Sequence, residues 1–151
     1  MKTTIIGSLL LAALLIGVPN NTALCGDNGN GIVTANGLVW LKDASCLGKM
    51  NWVDADARAK NLASGQCGLT DSSKAGDWRL PTESELGQLR NLSGLTNIQQ
   101  GNYWSSTCRV QMWGPDWTRP VTLCDSSGMG GSRAQETVNK MNYVLPVRPL
   151  K

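Results

Sequence analysis

Apolar positions recur along the chain with two different periods, and each period marks an element. Ile32-Val33-Thr34 and Leu38-Val39-Trp40-Leu41 flank Ala35-Asn36-Gly37, and an Asn-Gly between two apolar runs predicts a tight hairpin. The cluster just before it, Asp27-Asn-Gly-Asn-Gly31, reads as a turn rather than a calcium loop, because Gly29 and Ala35 stand where further oxygen ligands would be wanted. Trp52, Ala55, Ala59 and Leu62 then recur at helical spacing behind Asn51, a good N-cap, with Asp54 at the third helical position; the helix should end near Ser64-Gly65. A polar loop, Asp71 to Gly76, leads to the extended piece Trp78-Arg79-Leu80-Pro81. Thr82 and Glu85 form a capping-box pattern opening a second helix, whose apolar stripe is Leu86, Leu89 and Leu92. From Asn97 onward helical periodicity stops. Tyr103 to Thr107, Trp117 to Cys124 and Tyr143 to Leu145 read as strands, and Asp125 to Gly131 as a Ser/Gly/Met loop. Strands at both ends with two helices between them predict an α+β domain built on a twisted antiparallel sheet.

Residues 1–23 carry a different pattern. Met1 and Lys2 precede an apolar run from Ile5 to Val18 that stops at Pro19, shorter than the roughly 20 residues a spanning helix needs. This is the layout of a secretory signal peptide cut after Ala23, which leaves residues 24–151 as the mature domain, with no stable membrane span. Leu24 occupies the place where a lipoprotein signal requires a small residue, which argues against lipidation at Cys25. Export places the domain in the periplasm, the cell envelope or the medium, where cysteines oxidise. Local spacing favours bridges Cys46–Cys67 and Cys108–Cys124, although sequence alone leaves other pairings open; Cys25 is left over, unpaired, linked to another chain or competing with Cys46.

Composition removes several function classes. Among 151 residues there is no His, so imidazole bases, His metal ligands and Ser-His or Cys-His catalysis are excluded. No Cys-x-x-Cys pair is present for zinc, and a formal charge of +3 is too small to mark a nucleic-acid binder. No general base suggests itself, so the chain reads as a binding domain rather than an enzyme, with no cofactor and no metal site. Charge is nevertheless uneven: residues 24–89 are net −2 and residues 90–151 net +4.

The order of several segments is familiar. Asp27-Asn-Gly-Asn-Gly-Ile-Val-Thr34, Gly37-Leu-Val-Trp-Leu-Lys-Asp-Ala-Ser-Cys46, Met50-Asn-Trp52 and Leu62-Ala-Ser-Gly-Gln-Cys-Gly-Leu-Thr-Asp71 come first. Gly76-Asp-Trp-Arg-Leu-Pro-Thr82, Tyr103-Trp-Ser-Ser-Thr107 and Tyr143-Val-Leu-Pro-Val-Arg148 follow. Together they resemble the Lcl C-terminal domain family, named for the end domain of a bacterial collagen-like adhesin, over about residues 26–149. The resemblance implies a C-type-lectin-like fold: paired terminal strands, two helices on the sheet, and an irregular loop region bearing any ligand site. It also implies an exported bacterial protein of adhesin type, the named member resembling a binder of host glycosaminoglycans.

The candidate ligand residues lie in that loop region. Trp40, Trp52, Trp78 and Trp104 fall in helix and strand patterns and are expected in the core. Trp113 and Trp117 sit in the turn-rich stretch Met112-Trp-Gly-Pro-Asp-Trp117, where an exposed indole would stack on a sugar face or anchor a protein contact. Arg109, Arg119 and Arg133 flank them, and guanidinium groups grip sulfate and carboxylate in a bidentate fork. The expected ligand is a carbohydrate, with an anionic glycan suiting the arginines, or another extracellular ligand, bound through residues 109–135. The alternative is a structural or protein-interaction module of the cell envelope that binds no sugar.

Overall fold

A computed structural model describes residues 29–113, 119–128 and 132–151. The segment read as a signal peptide, the cysteine Cys25 and the indole Trp117 lie outside these residues. The first hairpin forms as the Asn-Gly pattern requires. β1 (Ile32–Ala35) pairs antiparallel with β2 (Leu38–Leu41), and Asn36 and Gly37 between them both take positive φ, 52° and 76°. Just upstream Gly31 also has positive φ, and a Cβ there would collide with the Gly68 carbonyl; the glycine lets the chain cross the loop that follows the first helix.

β3 (Lys49–Met50) leads into α1 (Trp52–Lys60). Asn51 caps it as expected, its side chain accepting from the Asp54 amide at 2.9 Å, and Ala55 and Ala59 face the core. The helix stops at Asn61, earlier than the apolar spacing suggests. The Asn61 backbone amide and side-chain amide both turn back onto the Ala57 carbonyl, and Leu62 stays buried in the turn that follows. The second helix is likewise shorter. α2 (Glu83–Leu86) carries the full capping box between Thr82 and Glu85, then passes through Gly87 into a 3-10 turn, Leu89–Asn91. That tighter turn keeps Leu89 in the core.

Two sheets result. One is three-stranded, in the order β1-β2-β8, where β8 is Val147–Pro149. The other is five-stranded, in the order β3-β7-β4-β5-β6, built from β4 (Asn102–Trp113), β5 (Arg119–Gly128), β6 (Arg133–Thr137) and β7 (Asn142–Tyr143). Its pairings are antiparallel except at Tyr103 beside Tyr143, where β4 and β7 run parallel, so the sheet is mixed rather than purely antiparallel. Two further expectations are corrected here. The stretch from Asp125, read as loop, continues β5 to Gly128, and Arg133–Thr137 forms an edge strand that turn-rich composition conceals. Ser126 and Ser127 are almost fully buried in this ladder, so polar side chains occupy positions that a hydrophobic pattern cannot flag.

The core has two parts. Trp40, Trp78, Leu41, Leu62, Leu69, Leu86, Leu89 and Val147 fill the larger one beside the three-stranded sheet. Ala55, Ala59, Leu80, Trp104, Cys124 and Val144 fill the smaller one between α1 and the five-stranded sheet. Trp40, Trp78 and Trp104 are buried as expected, and Trp52 is half-buried with its indole N–H donating to the Ser105 carbonyl at 2.8 Å. Trp78-Arg-Leu-Pro81 threads between the two parts. Arg79 exchanges both backbone hydrogen bonds with Val147, each 2.9 Å, while the Ser106 amide donates to the Pro81 carbonyl at 2.7 Å. The Arg79 guanidinium forks onto Glu85 at 2.8 Å to each oxygen, so one carboxylate serves both the helix cap and an ion pair.

Both cysteine bridges favoured by local spacing are present, Cys46–Cys67 and Cys108–Cys124. Each closes a loop short enough to contribute about 3 kcal/mol in the chain-entropy account.

Arg148 completes the closure. Its guanidinium lies over the Trp78 ring, 5.3 Å from the centroid, and binds Asp71 at 2.9 Å in a pair that is nearly all buried. Burial works against charge on Asp71. Hydrogen bonds from the Ser73 hydroxyl and amide, together with Arg148, outweigh it and hold the carboxyl below its usual value. Glu85 is lowered first by its hydrogen bonds from Arg79, against the opposing effect of burial, with help from Thr82.

Trp78→Ala is expected to cost about 3–5 kcal/mol of unfolding free energy, measured by denaturant titration, since it removes one of the two fully buried indoles of the main core. An unchanged midpoint would place this indole outside the load of the fold. Acid should unfold the domain in a defined window. Both carboxylates have folded pKa values below their unfolded ones, so their contribution is complete above the ordinary carboxylate range and is lost as pH falls through the lowered values. The melting temperature should be level above about pH 5 and fall steadily below about pH 4. Asp71→Asn should cost about 3 kcal/mol near neutral pH and make the acid slope shallower; a slope identical to the parent's would contradict the assignment.

Candidate functional site

The region singled out in the sequence is organised by one long hairpin. β4 and β5 pair from Asn102↔Gly128 to Trp104↔Ser126, lose register between Trp104 and Cys108, and resume at Cys108↔Cys124, where the disulfide joins directly opposed residues. Beyond that bridge the pairing runs Arg109↔Leu123, Val110↔Thr122, Gln111↔Val121, Met112↔Pro120 and Trp113↔Arg119. Neighbouring strands stop short of it. β6 reaches β5 only from Leu123 to Ser127, and β7 meets β4 at Tyr103. The outer hairpin is therefore a two-stranded ribbon, an arrangement marginal by itself in water. The disulfide at its base supplies the covalent restraint.

Side chains alternate across the ribbon. Val110 and Met112 share one face, and both are open to solvent, 65% and 43% exposed. Arg109 lies on the other face and reaches diagonally to Asp125, its Nη2 donating to both carboxylate oxygens at 3.1 and 3.0 Å. With the Gln135 amide oriented to satisfy both its atoms, its carbonyl accepts from the same guanidinium at 2.9 and 2.8 Å. The Asp125 side chain is only 4% exposed, so Arg109 is committed to neutralising a buried carboxylate.

Arg133 stands differently. It opens β6 opposite Ser127, and its Nη1 meets Glu83 Oε1 at 2.9 Å. Its side chain is 66% exposed and that of Glu83 26%. Glu83 is the first residue of α2, and its backbone amide donates to the Thr107 hydroxyl at 3.3 Å, which fixes the helix start against β4 at the bulge. Trp113 and Arg119 pair in register at the outer end of the ribbon.

The structure sets Arg109 and Arg133 on one sheet, the platform of β4, β5 and β6, but does not gather the singled-out residues: Trp113 and Arg119 pair at the outer end of the ribbon, whereas Arg133 stands opposite Ser127, toward the opposite end of β5. Arg109 and Arg133 are held by carboxylates of very different exposure. Those carboxylates, Asp125 and Glu83, were not among the residues singled out in the sequence, and neither was Gln135. Glu83 has a sequence role as a first-turn acid, but nothing in its spacing ties it to a residue fifty positions away. Behind the platform, Glu136 accepts from the Ser126 hydroxyl at 2.9 Å and from the Asn142 side-chain amide, a buried polar network joining β5, β6 and β7. Among the described residues no three His, Cys, Asp or Glu side chains cluster so as to hold a metal ion. A shallow, open groove of about 360 Å³ lies on α1, lined by Met50, Asp54, Ala57, Arg58 and Asn61, and shares no residue with the ribbon.

No helix among the described residues is long and apolar enough to cross a membrane. Comparison with curated proteins gives no significant match. The family model of the Lcl C-terminal domain matches residues 33–148, from the first strand to the arginine that stacks on Trp78. That match takes in both sheets, both disulfides and the whole ribbon, and the chain belongs to the Lcl C-terminal domain family.

Proposed function

We propose that this chain is an exported, non-catalytic binding domain of C-type-lectin-like fold that recognises a carbohydrate, best an anionic glycan, through residues 109–135. The observation carrying this reading is the ribbon itself. Residues Arg109–Trp113 and Arg119–Leu123 extend past their neighbours from a disulfide-pinned base with Val110 and Met112 open to solvent, and the exposed Arg133 lies on the same sheet on the other side of that bridge. Aromatic and cationic residues on a disulfide-pinned ribbon suit sugar rings bearing sulfate or carboxylate. Family membership supports an adhesin-like role, and the two disulfides are compatible with an oxidising compartment outside the cytoplasm.

A second reading is favoured by Val110 and Met112. Two exposed aliphatic side chains side by side on a ribbon suit a protein surface better than a sugar, which would make the domain an interaction module of the cell envelope.

Salt separates the contributions. Charge contacts at the surface are screened beyond about 8 Å at physiological ionic strength, whereas indole stacking is not. Binding to a heparin-like oligosaccharide should fall about tenfold at low salt when Arg119 and Arg133 are both changed to Gln, with a flatter salt dependence. Trp117→Ala should weaken binding about tenfold at every salt concentration. Both variants should melt within a few degrees of the parent. If both bind heparin-like and neutral glycans as the parent does, the surface is not a sugar site, and the envelope-interaction reading replaces it.

A further inference from the structure

The two carboxylate-bound arginines of the platform are not equivalent. Arg109 neutralises Asp125, whose side chain is 4% exposed, and takes two further contacts from Gln135; a ligand that drew Arg109 away would leave a buried charge unpaired. Arg133 meets Glu83 through Nη1 in a pair whose cationic side chain is 66% exposed. An ion pair so open to water contributes little, and its partner is exchangeable. Glu83 is nevertheless well placed to stay close, because its backbone is fixed against Thr107 at the β4 bulge and the α2 cap is supplied separately by Thr82 and Glu85.

From this contrast we propose that Glu83 is an internal competitor for Arg133: it occupies the guanidinium in the free protein and is displaced by a sulfate or carboxylate group of the ligand. The proposal rests on the anionic-glycan reading of the same surface and adds its regulation. Arg133 becomes the exchangeable anion-binding residue and Arg109 a positioning residue that keeps the platform intact. Glu83 sets a threshold, since a neutral sugar gives Arg133 nothing to exchange for its carboxylate. An anionic group of fitting geometry replaces one charge-assisted contact by another.

The test compares Glu83→Gln with Asp56→Asn in the full chain. Asp56 pairs with Lys60 on α1, so its substitution raises net charge equally without freeing Arg133. For a heparin-derived oligosaccharide at low ionic strength, Glu83→Gln should bind about two- to fivefold more tightly than the parent, the range an exposed ion pair spans. Asp56→Asn should stay at the parent's value, and the gain should vanish when Arg133→Gln is added. Equal gains in the two single variants, or a gain that survives Arg133→Gln, would overturn the proposal while leaving the glycan reading in place. Inorganic sulfate provides a readout that does not depend on that reading. In nuclear magnetic resonance titrations the Arg133 Nε–H signal should move at lower sulfate concentration in Glu83→Gln than in the parent. Identical titrations would overturn the proposal whatever the oligosaccharide does, and loss of oligosaccharide binding in every chain alongside a clear sulfate difference would overturn the glycan reading alone.

Discussion

The segment Asn142–Pro149 is the constraint on which the rest of the molecule depends. Its first two residues add β7 to the five-stranded sheet, between β3 and β4. Val144 and Leu145 then enter the two parts of the core in succession, one each. The Pro146 carbonyl accepts from the Leu41 amide, Val147 pairs with both β2 and Arg79, and Arg148 closes over Trp78 onto Asp71. Eight residues thus join two sheets, two cores and the loop after the first helix. Many of these contacts are long-range in sequence, so each loses its context if the segment detaches, and the domain should unfold as one cooperative unit.

Against that closed body the ribbon is peripheral. Its outer residues make ladder bonds to each other and to little else among the described strands, and its attachment is concentrated at the Cys108–Cys124 bridge and the Arg109–Asp125 pair. If this platform carries the proposed recognition, it separates recognition from stability. Residues at the tip can vary without touching the core, while the disulfide and the buried carboxylate keep the tip oriented. Glu83, Arg133 and Thr107 join the helix start to the same sheet, so the charge around Arg133 is set partly from outside the ribbon.

Much of the body was legible in the sequence because its signals are local. Asn36-Gly37 announces a turn that only positive φ can make, Thr82 with Glu85 announces a helix start, and Trp40, Trp78 and Trp104 stand in apolar patterns that lead inward. Local spacing likewise picked out the two bridged cysteine pairs. Less local features escaped. The strand through Asp125-Ser126-Ser127 is buried, with Asp125 satisfied by Arg109 and Ser126 by Glu136, so it carries no hydrophobic alternation, and its composition imitates a loop. α1 ends at Asn61, whose side-chain amide joins its backbone N–H on the Ala57 carbonyl, and the next amide, that of Leu62, tightens onto the Ala59 carbonyl, so Leu62 is buried in a turn rather than on a helical face. For the proposed site, the arginines and the turn-rich stretch were singled out from sequence, but the carboxylates that hold Arg109 and Arg133 were not, since those pairings exist only once β6 and α2 are brought against the hairpin.

Amide hydrogen exchange, followed residue by residue with and without a heparin-like oligosaccharide, tests the division between closed body and recognising ribbon most directly. The amides of Arg79 and Val147 should exchange only through global unfolding and be unaffected by the sugar beyond the overall stabilisation that binding confers. Those of residues 109–113, 119 and 121–123 should exchange through local opening in the free protein and slow markedly when the sugar is added. Exchange at Arg79 and Val147 as fast as in the ribbon, or protection by the sugar centred on the α1 groove rather than the ribbon, would contradict the account.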